Sequence, residues 1–155
     1  MNLHDAEVMA IMLMNQYGLD DWTFQFDTAR RRFGMCAHRR RLISLSAHLT
    51  ELNSEDVVTD TLLHEIAHAL VGANHGHDEI WIEQAVAIGC NGERCYSSDE
   101  VITPEKTFIG TCPSCGKTIQ RFVRKRGLAC GSCCKKHNGG KYSKQYKFKW
   151  KRRAV

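Results

Sequence analysis

The spacing of hydrophobic residues in the N-terminal part of the chain predicts alternating helices and strands. Apolar residues recur at close to helical spacing over residues 5–17, and Gly18 ends that predicted helix. Residues 22–26 alternate large apolar with polar side chains and predict a strand, and the charged segment 27–34 predicts a turn into a second strand. A further strand is predicted at 41–46. These elements favour an α+β fold in which helices cover a small sheet.

The clearest predicted element is a long central helix that ends at Gly72. Asn53 or Ser54 can cap its N-terminus, and acidic residues occupy its first turn, where the helix dipole favours negative charge. A further helix fits residues 78–88, and the chain from 90 to 104 has the mixed composition of a loop. The sequence therefore places two consecutive helices in the middle of the chain.

Charged residues are distributed unevenly along the chain. The formal net charge is +5, but residues 1–111 contain all 17 acidic residues, whereas residues 112–155 contain 14 of the 22 Lys and Arg residues and no acid. This asymmetry predicts two modules with different partners. The acidic part suits catalysis, and the basic part suits an anionic partner, of which nucleic acid is the most common.

The composition also indicates where the protein functions. Hydrophobic residues make up 43% of the chain, enough for a buried core, yet no apolar run is long enough to span a bilayer. The N-terminus lacks the pattern of a signal peptide. Four of the eight cysteines form two Cys-x-x-Cys pairs, which in a reducing compartment indicates metal binding rather than disulfides. We expect a cytoplasmic or nucleoid-associated protein that is monomeric and has no membrane partner.

The long central helix contains the motif His64-Glu-Ile-Ala-His68. Residues at i and i+4 lie on one face of a helix, so both imidazoles can reach one ion. Zn²⁺ accepts nitrogen ligands and leaves an open position for water. Glu65 is rotated away from the ligand face, so it can face that water and act as a general base. The alternative, an exposed helix with two histidines by chance, is disfavoured because apolar residues bury the helix around them.

A catalytic zinc site of this kind needs a third protein ligand. The positions three and six residues after the second histidine are Val71 and Asn74, which excludes the metzincin pattern. Four nearby residues remain as candidates on residue type alone: His75, His77, Glu79 and Glu83.

The residues around this motif resemble a known family. His64-Glu-Ile-Ala-His68-Ala-Leu, followed by Gly76-His77-Asp-Glu-Ile-Trp81, is similar to the SprT-like (Spartan-related) zinc metallopeptidases. That family follows its helix motif with a His-Gly-x-x-Phe/Trp element whose histidine is the third zinc ligand. His77 and Trp81 match the spacing of that element, so the resemblance favours His77 as the third ligand. The resemblance extends over most of the chain, from about residue 5 to residue 133.

The resemblance implies a fold, an activity and a substrate class. We expect a minimal zincin-like core, a small sheet with helices around the active-site helix, in residues 1–108. A zinc ribbon would follow in residues 109–136, and a basic, aromatic-interleaved tail in residues 137–155. The implied activity is that of a zinc-dependent endopeptidase with Glu65 as the general base and a catalytic zinc on the three histidines. Because Spartan-type members degrade proteins crosslinked to DNA, the resemblance implies DNA-associated proteins as substrates.

The C-terminal cysteines predict a second, structural zinc site. Cys112-Pro-Ser-Cys115 and Cys130-Gly-Ser-Cys133 are separated by 14 residues, and each pair fits a tight turn. Four thiolates form a closed tetrahedral site, so we expect one structural zinc ion in addition to the catalytic one. Residues 117–127 would form a hairpin between the two pairs.

The remaining cysteines and histidines have no predicted catalytic role. Cys134 could replace Cys133 as a ligand, although Cys133 preserves the two-residue gap. Cys90 and Cys95 could close a disulfide or bind metal, but buried thiols are the default in a reducing cell. Cys36 fits a structural thiol, with a reactive thiol as the alternative. Three histidines fit ordinary surface or core positions: His38, His48 and His137.

The basic C-terminal region predicts a nucleic-acid interface with DNA as the partner. Lys and Arg side chains can follow phosphates while interleaved aromatic rings stack on bases. The alternative is a disordered, solvated tail, but the lack of any acid over 44 residues favours binding. The residues predicted to contact nucleic acid are Arg121, Arg124, Lys125, Arg126, Lys141, Lys144, Lys147, Lys149 and Trp150.

Three functions are compatible with these patterns. The first is a zinc metalloprotease that acts on a protein substrate. The second is a nucleic-acid-binding zinc protein whose zincin site is structural or non-peptidase, and the third is a metal-dependent hydrolase of another bond. The presence of Glu65 favours an enzyme, because a structural zinc site needs no general base.

Overall fold

A computed structural model describes residues 1–93 and 101–154 of the chain. The chain divides into two compact units, Met1–Pro104 and Glu105–Val155. This division lies close to the predicted boundary after residue 108. The segment 137–155, predicted to be a separate tail, instead belongs to the second unit.

The first unit contains four α-helices and three strands among its described residues. One short helix, α2, was not predicted, because its six residues are too few for a periodic pattern to emerge. The elements in chain order are α1 (Leu3–Gln16), β1 (Thr23–Asp27), β2 (Gly34–Ala37), β3 (Leu42–Ser46), α2 (Ala47–Leu52), α3 (Glu55–Val71) and α4 (Glu79–Ala87). The predicted α+β class is confirmed in this coarse sense.

The three strands form one sheet in the order β1-β3-β2. The central strand β3 runs parallel to β1 and antiparallel to β2, and all five of its residues are buried. The helix α3 packs against β2 and β3, and α1 packs against α3 and β1. The edge strand β2 therefore lies beside the helix that carries the His-Glu-x-x-His motif.

The hydrophobic core of this unit forms between the sheet and the helices. Apolar residues of α3 at positions 58, 62 and 66 are fully buried, one helical turn apart, and face the central strand. At roughly 1.5–3 kcal/mol for each fully buried aliphatic side chain, this stripe fixes the rotation of α3. His64 and His68 consequently lie on a different face of α3, away from this core.

Buried serines of β3 hold the loop between β1 and β2. Ser44 donates a hydrogen bond to the carboxylate of Asp27 (2.9 Å), and Ser46 donates one to the carbonyl oxygen of Ala29 (2.5 Å). The backbone N–H of Ser46 also donates to the carbonyl oxygen of Phe33 (2.7 Å). Both serine side chains are fully buried and satisfied, so the loop enters β2 in a fixed position.

The ends of α3 follow the predicted signals. Ser54 occupies the N-cap position, and Gly72 ends the helix with a φ of 91°, a value that favours glycine. Asn53, the other predicted cap, is used differently. Its side-chain amide exchanges two hydrogen bonds with the backbone of Ile102, at 2.9 and 2.7 Å. This pairing attaches the last residues of the first unit to its core.

The second unit is built on an antiparallel sheet in the order β5-β4-β6. Its elements are β4 (Phe108–Thr111), β5 (Thr118–Arg121), α5 (Gly131–Asn138) and β6 (Lys149–Arg152). The prediction of a hairpin within residues 117–127 is wrong. The hairpin joins β4 to β5 and encloses the first cysteine pair, because the strand before that pair supplies the partner for β5.

Three of the four aromatic residues of the predicted tail pack in or against the core of this unit, whereas Tyr142 is exposed. Tyr146 and Phe148 are buried beside the cysteines, and Trp150 lies on β6 opposite Gly110. A Cβ atom on Gly110 would lie 2.9–3.1 Å from the Trp150 ring, so the ring rests directly on the backbone of β4. The three rings are therefore used, at least in part, for folding, and a contact of the half-buried Trp150 with nucleic acid stays a prediction.

No helix among residues 1–93 and 101–154 has the length and apolar character needed to cross a bilayer.

Candidate active site and metal centres

Three imidazoles converge on one point at the surface of α3. His64 and His68 project from adjacent turns of the helix, and His77 reaches them from the segment between α3 and α4. The Nε2 atom of His77 lies 3.0 Å from that of His64 and 3.2 Å from that of His68. We call these residues the three-histidine group. All three of their ligand atoms lie within 4.8 Å of one another.

The geometry of the three-histidine group fits a tetrahedral zinc ion. Zinc–nitrogen bonds of 2.0–2.1 Å at tetrahedral angles separate neighbouring ligand nitrogens by about 3.3 Å. The observed separations of 3.0 and 3.2 Å are close to that value. Three converging nitrogens leave one tetrahedral position open, as a catalytic zinc site requires.

The protonation of the histidines also suits a cation. Burial lowers the pKa of His64 to about 4, with the neighbouring His77 ring as a second cause. Burial likewise lowers the pKa of His68 to about 4. Both rings are neutral at pH 7, so their lone pairs are available as ligands without loss of a proton.

Trp81 supports the three-histidine group from below. This residue lies on α4, is completely buried, and has its ring centroid 4.5–5.0 Å from the centroids of all three imidazoles. Asp78 caps α4 by accepting a hydrogen bond from the backbone N–H of Trp81, at 3.1 Å. The start of α4 therefore sets the position of His77, which directly precedes the cap.

The other candidates for a third ligand point elsewhere. His75 Nδ1 contacts the carboxylate of Asp78 at 2.9 Å. Glu79 and Glu83 are exposed on α4. Among the described residues, none of these three belongs to a group able to hold a metal ion.

Glu65 lies beside the three-histidine group but faces β2. Glu65 is 8% exposed, and burial raises the pKa of its carboxyl group to about 7. Two groups act against this shift and favour the carboxylate: the guanidinium of Arg32 and a hydrogen bond from the backbone of Cys36. The carboxyl group is thus poised to gain or lose a proton near neutral pH.

A cavity of about 750 Å³ opens over these residues. One wall is the β1–β2 loop and the start of β2, including Arg31, Arg32 and Gly34. The other follows the face of α3 from Asp56 to His68. A helix rises 1.5 Å per residue, so this wall is roughly 18 Å long. Its length matches about five residues of an extended polypeptide at 3.3 Å each.

The four cysteines of the two Cys-x-x-Cys pairs form a second metal-binding group, which we call the four-cysteine group. The Sγ atoms of Cys112 and Cys133 lie 3.8 Å apart, as do those of Cys115 and Cys130. Zinc–sulfur bonds of 2.3 Å at tetrahedral angles give a separation of about 3.8 Å. A disulfide needs about 2.05 Å, so the observed distances fit a metal site.

The two cysteine pairs are positioned by different local structures. Cys112 and Cys115 lie on the turn between β4 and β5, where Gly116 adopts a φ of 71° and its N–H donates to the carbonyl oxygen of Cys112. The second pair was predicted on a similar turn. Instead, Cys130 caps α5 and Cys133 lies in its first turn. A hydrogen bond from the backbone of Cys133 lowers the pKa of Cys130 to about 7, which favours the thiolate.

The remaining cysteines lie outside both groups. Cys134 is buried next to the four-cysteine group but is not one of its four members. Burial raises the pKa of Cys36 to about 12 and that of Cys90 to about 11, so both remain thiols. Cys95, the predicted alternative partner of Cys90, lies outside the described residues.

Most of the basic residues predicted to contact nucleic acid are exposed on the second unit. Lys147 is half-buried, and Trp150 is half-buried against Gly110. Arg124 lies over the ring of Phe108, with its guanidinium carbon 5.3 Å from the ring centroid. The exposed members are Arg121, Arg124, Lys125, Arg126, Lys141, Lys144 and Lys149.

Comparison with known families identifies one that matches the first unit. The model of the SprT-like family matches residues 10–100, which include the three-histidine group and Glu65. The chain therefore belongs to the SprT-like family, and the predicted resemblance is confirmed. Membership indicates a zinc-dependent, metalloprotease-type domain. No curated protein sequence was found to match the chain.

Sequence reasoning missed the groups around the Glu65 carboxylate. Arg32 and the backbone of Cys36 act on its charge, and Gly34 lies against its side chain. The one available signal was a glycine at the start of a predicted strand, a position that often marks a close approach. The local sequence around this glycine does not indicate which residue approaches it.

Proposed function

We propose that the protein is a zinc-dependent endopeptidase of the SprT-like type. The observation that carries this proposal is the placement of Glu65 directly beside the three-histidine group, in a cavity long enough for an extended polypeptide. A purely structural zinc site would have four protein ligands and no need for a proton acceptor. The open fourth position and the poised carboxyl group both favour hydrolysis.

The residues of the site have distinct roles in this reaction. His64, His68 and His77 would hold a zinc ion, which when bound acts as a Lewis acid on the scissile carbonyl and acidifies water. Glu65 takes a proton from the attacking water while the water oxygen forms a bond to the carbonyl carbon. Glu65 then delivers that proton to the amide nitrogen as the carbon–nitrogen bond breaks. A pKa near 7 suits a group that must both accept and release a proton.

The direct test replaces Glu65 with glutamine. Glu65→Gln retains the shape of the side chain but cannot accept a proton, so cleavage of an unfolded protein should fall about 10²–10⁴-fold. Zinc content at the three-histidine group should stay unchanged, because glutamine leaves all three ligands in place. Cleavage at the wild-type rate by a zinc-loaded Glu65→Gln protein would exclude this mechanism.

We further propose that the second unit binds DNA and directs the protease to proteins on DNA. Exposed Lys and Arg side chains cover this unit, and its sequence after residue 105 contains no acid to oppose them. Counterion release from phosphates then favours binding. Since the rings of Tyr146, Phe148 and Trp150 pack in the core, we expect phosphate contacts rather than base stacking.

A salt titration tests this proposal. Each phosphate contact should contribute about −0.9 to the slope of log affinity against log salt on duplex DNA, and about −0.7 on single strands. The variant Arg124→Ala/Lys125→Ala/Arg126→Ala removes three exposed charges and should reduce the magnitude of the slope by up to about 2.7 on duplex. Tyr142→Ala, which removes an exposed uncharged side chain, is the control. Equal slopes for wild type and the triple variant would remove this segment from the interface.

A further inference from the structure

Gly34 makes the closest approach of the sheet to the catalytic helix. This residue begins β2, and its backbone lies directly against the side chain of Glu65. A Cβ atom placed on Gly34 would lie 2.5 Å from Oε1, 2.6 Å from Cγ and 2.9 Å from Cδ of Glu65. Real Cβ contacts essentially never fall below 3.0 Å, so the Glu65 side chain occupies the space that any other residue would fill.

The backbone conformation does not explain why residue 34 is glycine. Gly34 does not have a positive φ, unlike Gly72 and Gly116. Other residue types can therefore adopt its backbone conformation. In a strand, glycine also costs conformational entropy and packs no side chain. The remaining explanation is the space that its missing side chain leaves for the carboxyl group.

The start of β2 is fixed to the central strand of the sheet. The N–H of Ser46 donates to the carbonyl oxygen of Phe33 at 2.7 Å, immediately before Gly34. Phe33 is 2% exposed, and Gly34 pairs with Leu45 of the central strand. A side chain added at residue 34 would therefore displace the flexible end of Glu65 rather than the strand.

The same strand supplies polar partners for the carboxyl group. The backbone N–H of Cys36, two residues along β2, favours the charged form of the Glu65 carboxyl group. Arg32, just before the strand, adds a favourable positive charge and is itself paired with Asp27 of β1. The carboxyl group thus has space at Gly34 and charged or polar support on either side of that space.

We propose that Gly34 is a positioning residue, whose lack of a side chain allows the strand to hold the Glu65 carboxyl group in place for proton transfer. This inference rests on the proposed peptidase function, in which Glu65 is the general base. Gly34 also lines the cavity, but in this role it acts through Glu65, whose side chain supplies the three nearest atoms to the space that a Cβ would fill.

The substitution Gly34→Ala tests the proposal through activity. The zinc-loaded variant should retain wild-type zinc content, because the three-histidine group is unchanged. Displacing the base by about 1 Å should lower kcat about 10²-fold with little change in KM. Gly127→Ala is the matched control, since a Cβ there meets no atom within 4 Å, and it should behave as wild type.

A double variant separates positioning from a general loss of structure. If Gly34 acts only through Glu65, adding Gly34→Ala to Glu65→Gln should cause no further loss of kcat. A further loss of tenfold or more would show that Gly34→Ala damages the site in another way and would overturn the proposal. Wild-type kcat in Gly34→Ala would overturn it as well.

Crystal structures of the zinc-loaded wild type and Gly34→Ala decide the question without any activity. The Glu65 carboxyl group should move by about 1 Å or more from its wild-type position, since ordinary van der Waals contact begins near 3.4 Å, while the three imidazoles stay in place. An unmoved carboxyl group and a shifted β2 would overturn the proposal. A wild-type protein that binds zinc but cleaves no polypeptide would refute the peptidase function, and these structures would still test the positioning.

Discussion

Glu65 and the neighbouring histidines show one physical cause with opposite effects on pKa. Burial disfavours the charged form of each group. The pKa of the Glu65 carboxyl therefore rises to about 7, whereas the pKa values of His64 and His68 fall to about 4. Near pH 7 the zinc-free site consequently holds two neutral imidazoles beside a carboxyl group that is partly protonated. Such a site binds a cation readily, because little charge must be removed first.

These shifts predict a pH dependence for the stability of the zinc-free protein. The two histidines bind protons in the unfolded chain below about pH 6.5 but in the folded protein only near pH 4, so their contribution to stability is lost as the pH falls through that window. The raised pKa of Glu65 contributes in the opposite sense, with stability lost as the pH rises from 4.5 through 7. The loss of stability from the two histidines exceeds the gain from Glu65, so the melting temperature should fall on acidification from pH 6.5 to 4.

The variant Glu65→Gln provides the control for this prediction. It removes the opposing contribution, so its melting temperature should fall more steeply with acid than that of the wild type over the same range. Calorimetric melting of both zinc-free proteins at pH 4 to 7 measures the difference. Parallel curves would show that Glu65 does not titrate differently in the folded and unfolded states.

At the scale of elements, β6 completes the second unit. Trp150 on this strand covers the backbone of Gly110, and Tyr146 and Phe148 precede it in the core beside the cysteines. The side chains that alternate with them are mostly exposed lysines. The alternation of Lys with aromatic residues is therefore the pattern of a half-buried strand.

Replacement of Trp150 by alanine should destabilise the second unit by about 2–3 kcal/mol, less than the 3–5 kcal/mol typical of a fully buried aromatic residue. The cause is lost packing on Gly110, so DNA affinity should fall only under conditions where the unit unfolds. Tyr142→Ala removes a ring that is 57% exposed and should change stability by less than about 0.5 kcal/mol. Two measurements separate a role of Trp150 in folding from a role in DNA contact. Denaturant titration gives the stability of the second unit, and DNA binding at low denaturant gives the affinity of the folded protein. Reduced affinity of a fully folded Trp150→Ala protein would restore the ring as a DNA contact.

The four-cysteine group should hold its metal independently of the three-histidine group. In Cys112→Ser one thiolate ligand is lost, so zinc content should fall from about two ions to about one per chain. The second unit should lose its cooperative unfolding transition, because its small core surrounds the cysteines. Cleavage of an unfolded polypeptide should persist. Loss of both ions in Cys112→Ser would show that the two sites depend on each other.

At the scale of the whole molecule, the two units carry different chemistry. The first unit contains the cavity, the three-histidine group and nearly all of the acidic residues. The second contains the four-cysteine group and most of the Lys and Arg residues. The boundary follows Pro104, two residues after Ile102, whose backbone is hydrogen-bonded to Asn53 within the first unit.

A chain that ends at Pro104 should keep the ability to cleave polypeptides and lose the ability to bind DNA. It retains every residue of the three-histidine group and the core around α3, so it should bind one zinc ion and cleave an unfolded polypeptide at close to the wild-type rate. DNA binding should disappear with the basic unit. A zinc assay, a cleavage assay and a binding titration check these outcomes. DNA affinity equal to that of the full chain would place the interface on the first unit.

The sequence alone predicted the elements whose signals are local. The His-Glu-x-x-His spacing lies within a helix whose apolar stripe and terminal glycine are readable without a structure, and the cysteine pairs have the spacing of a metal site. Among the possible third ligands, family resemblance rather than local pattern favoured His77. In the folded protein, His77 directly precedes the N-cap of α4, and its imidazole lies next to that of His64 on α3.

Only the tertiary structure decided which residues support those groups. The contact of Gly34 with Glu65 joins a strand to a helix 31 positions further along the chain, and no local spacing encodes it. The pairing of β6 with β4, which makes the segment predicted as a separate basic tail part of the second unit, is likewise non-local. Local propensity and periodicity act over a few residues, whereas the side chain that fills a given space is set by packing between distant segments.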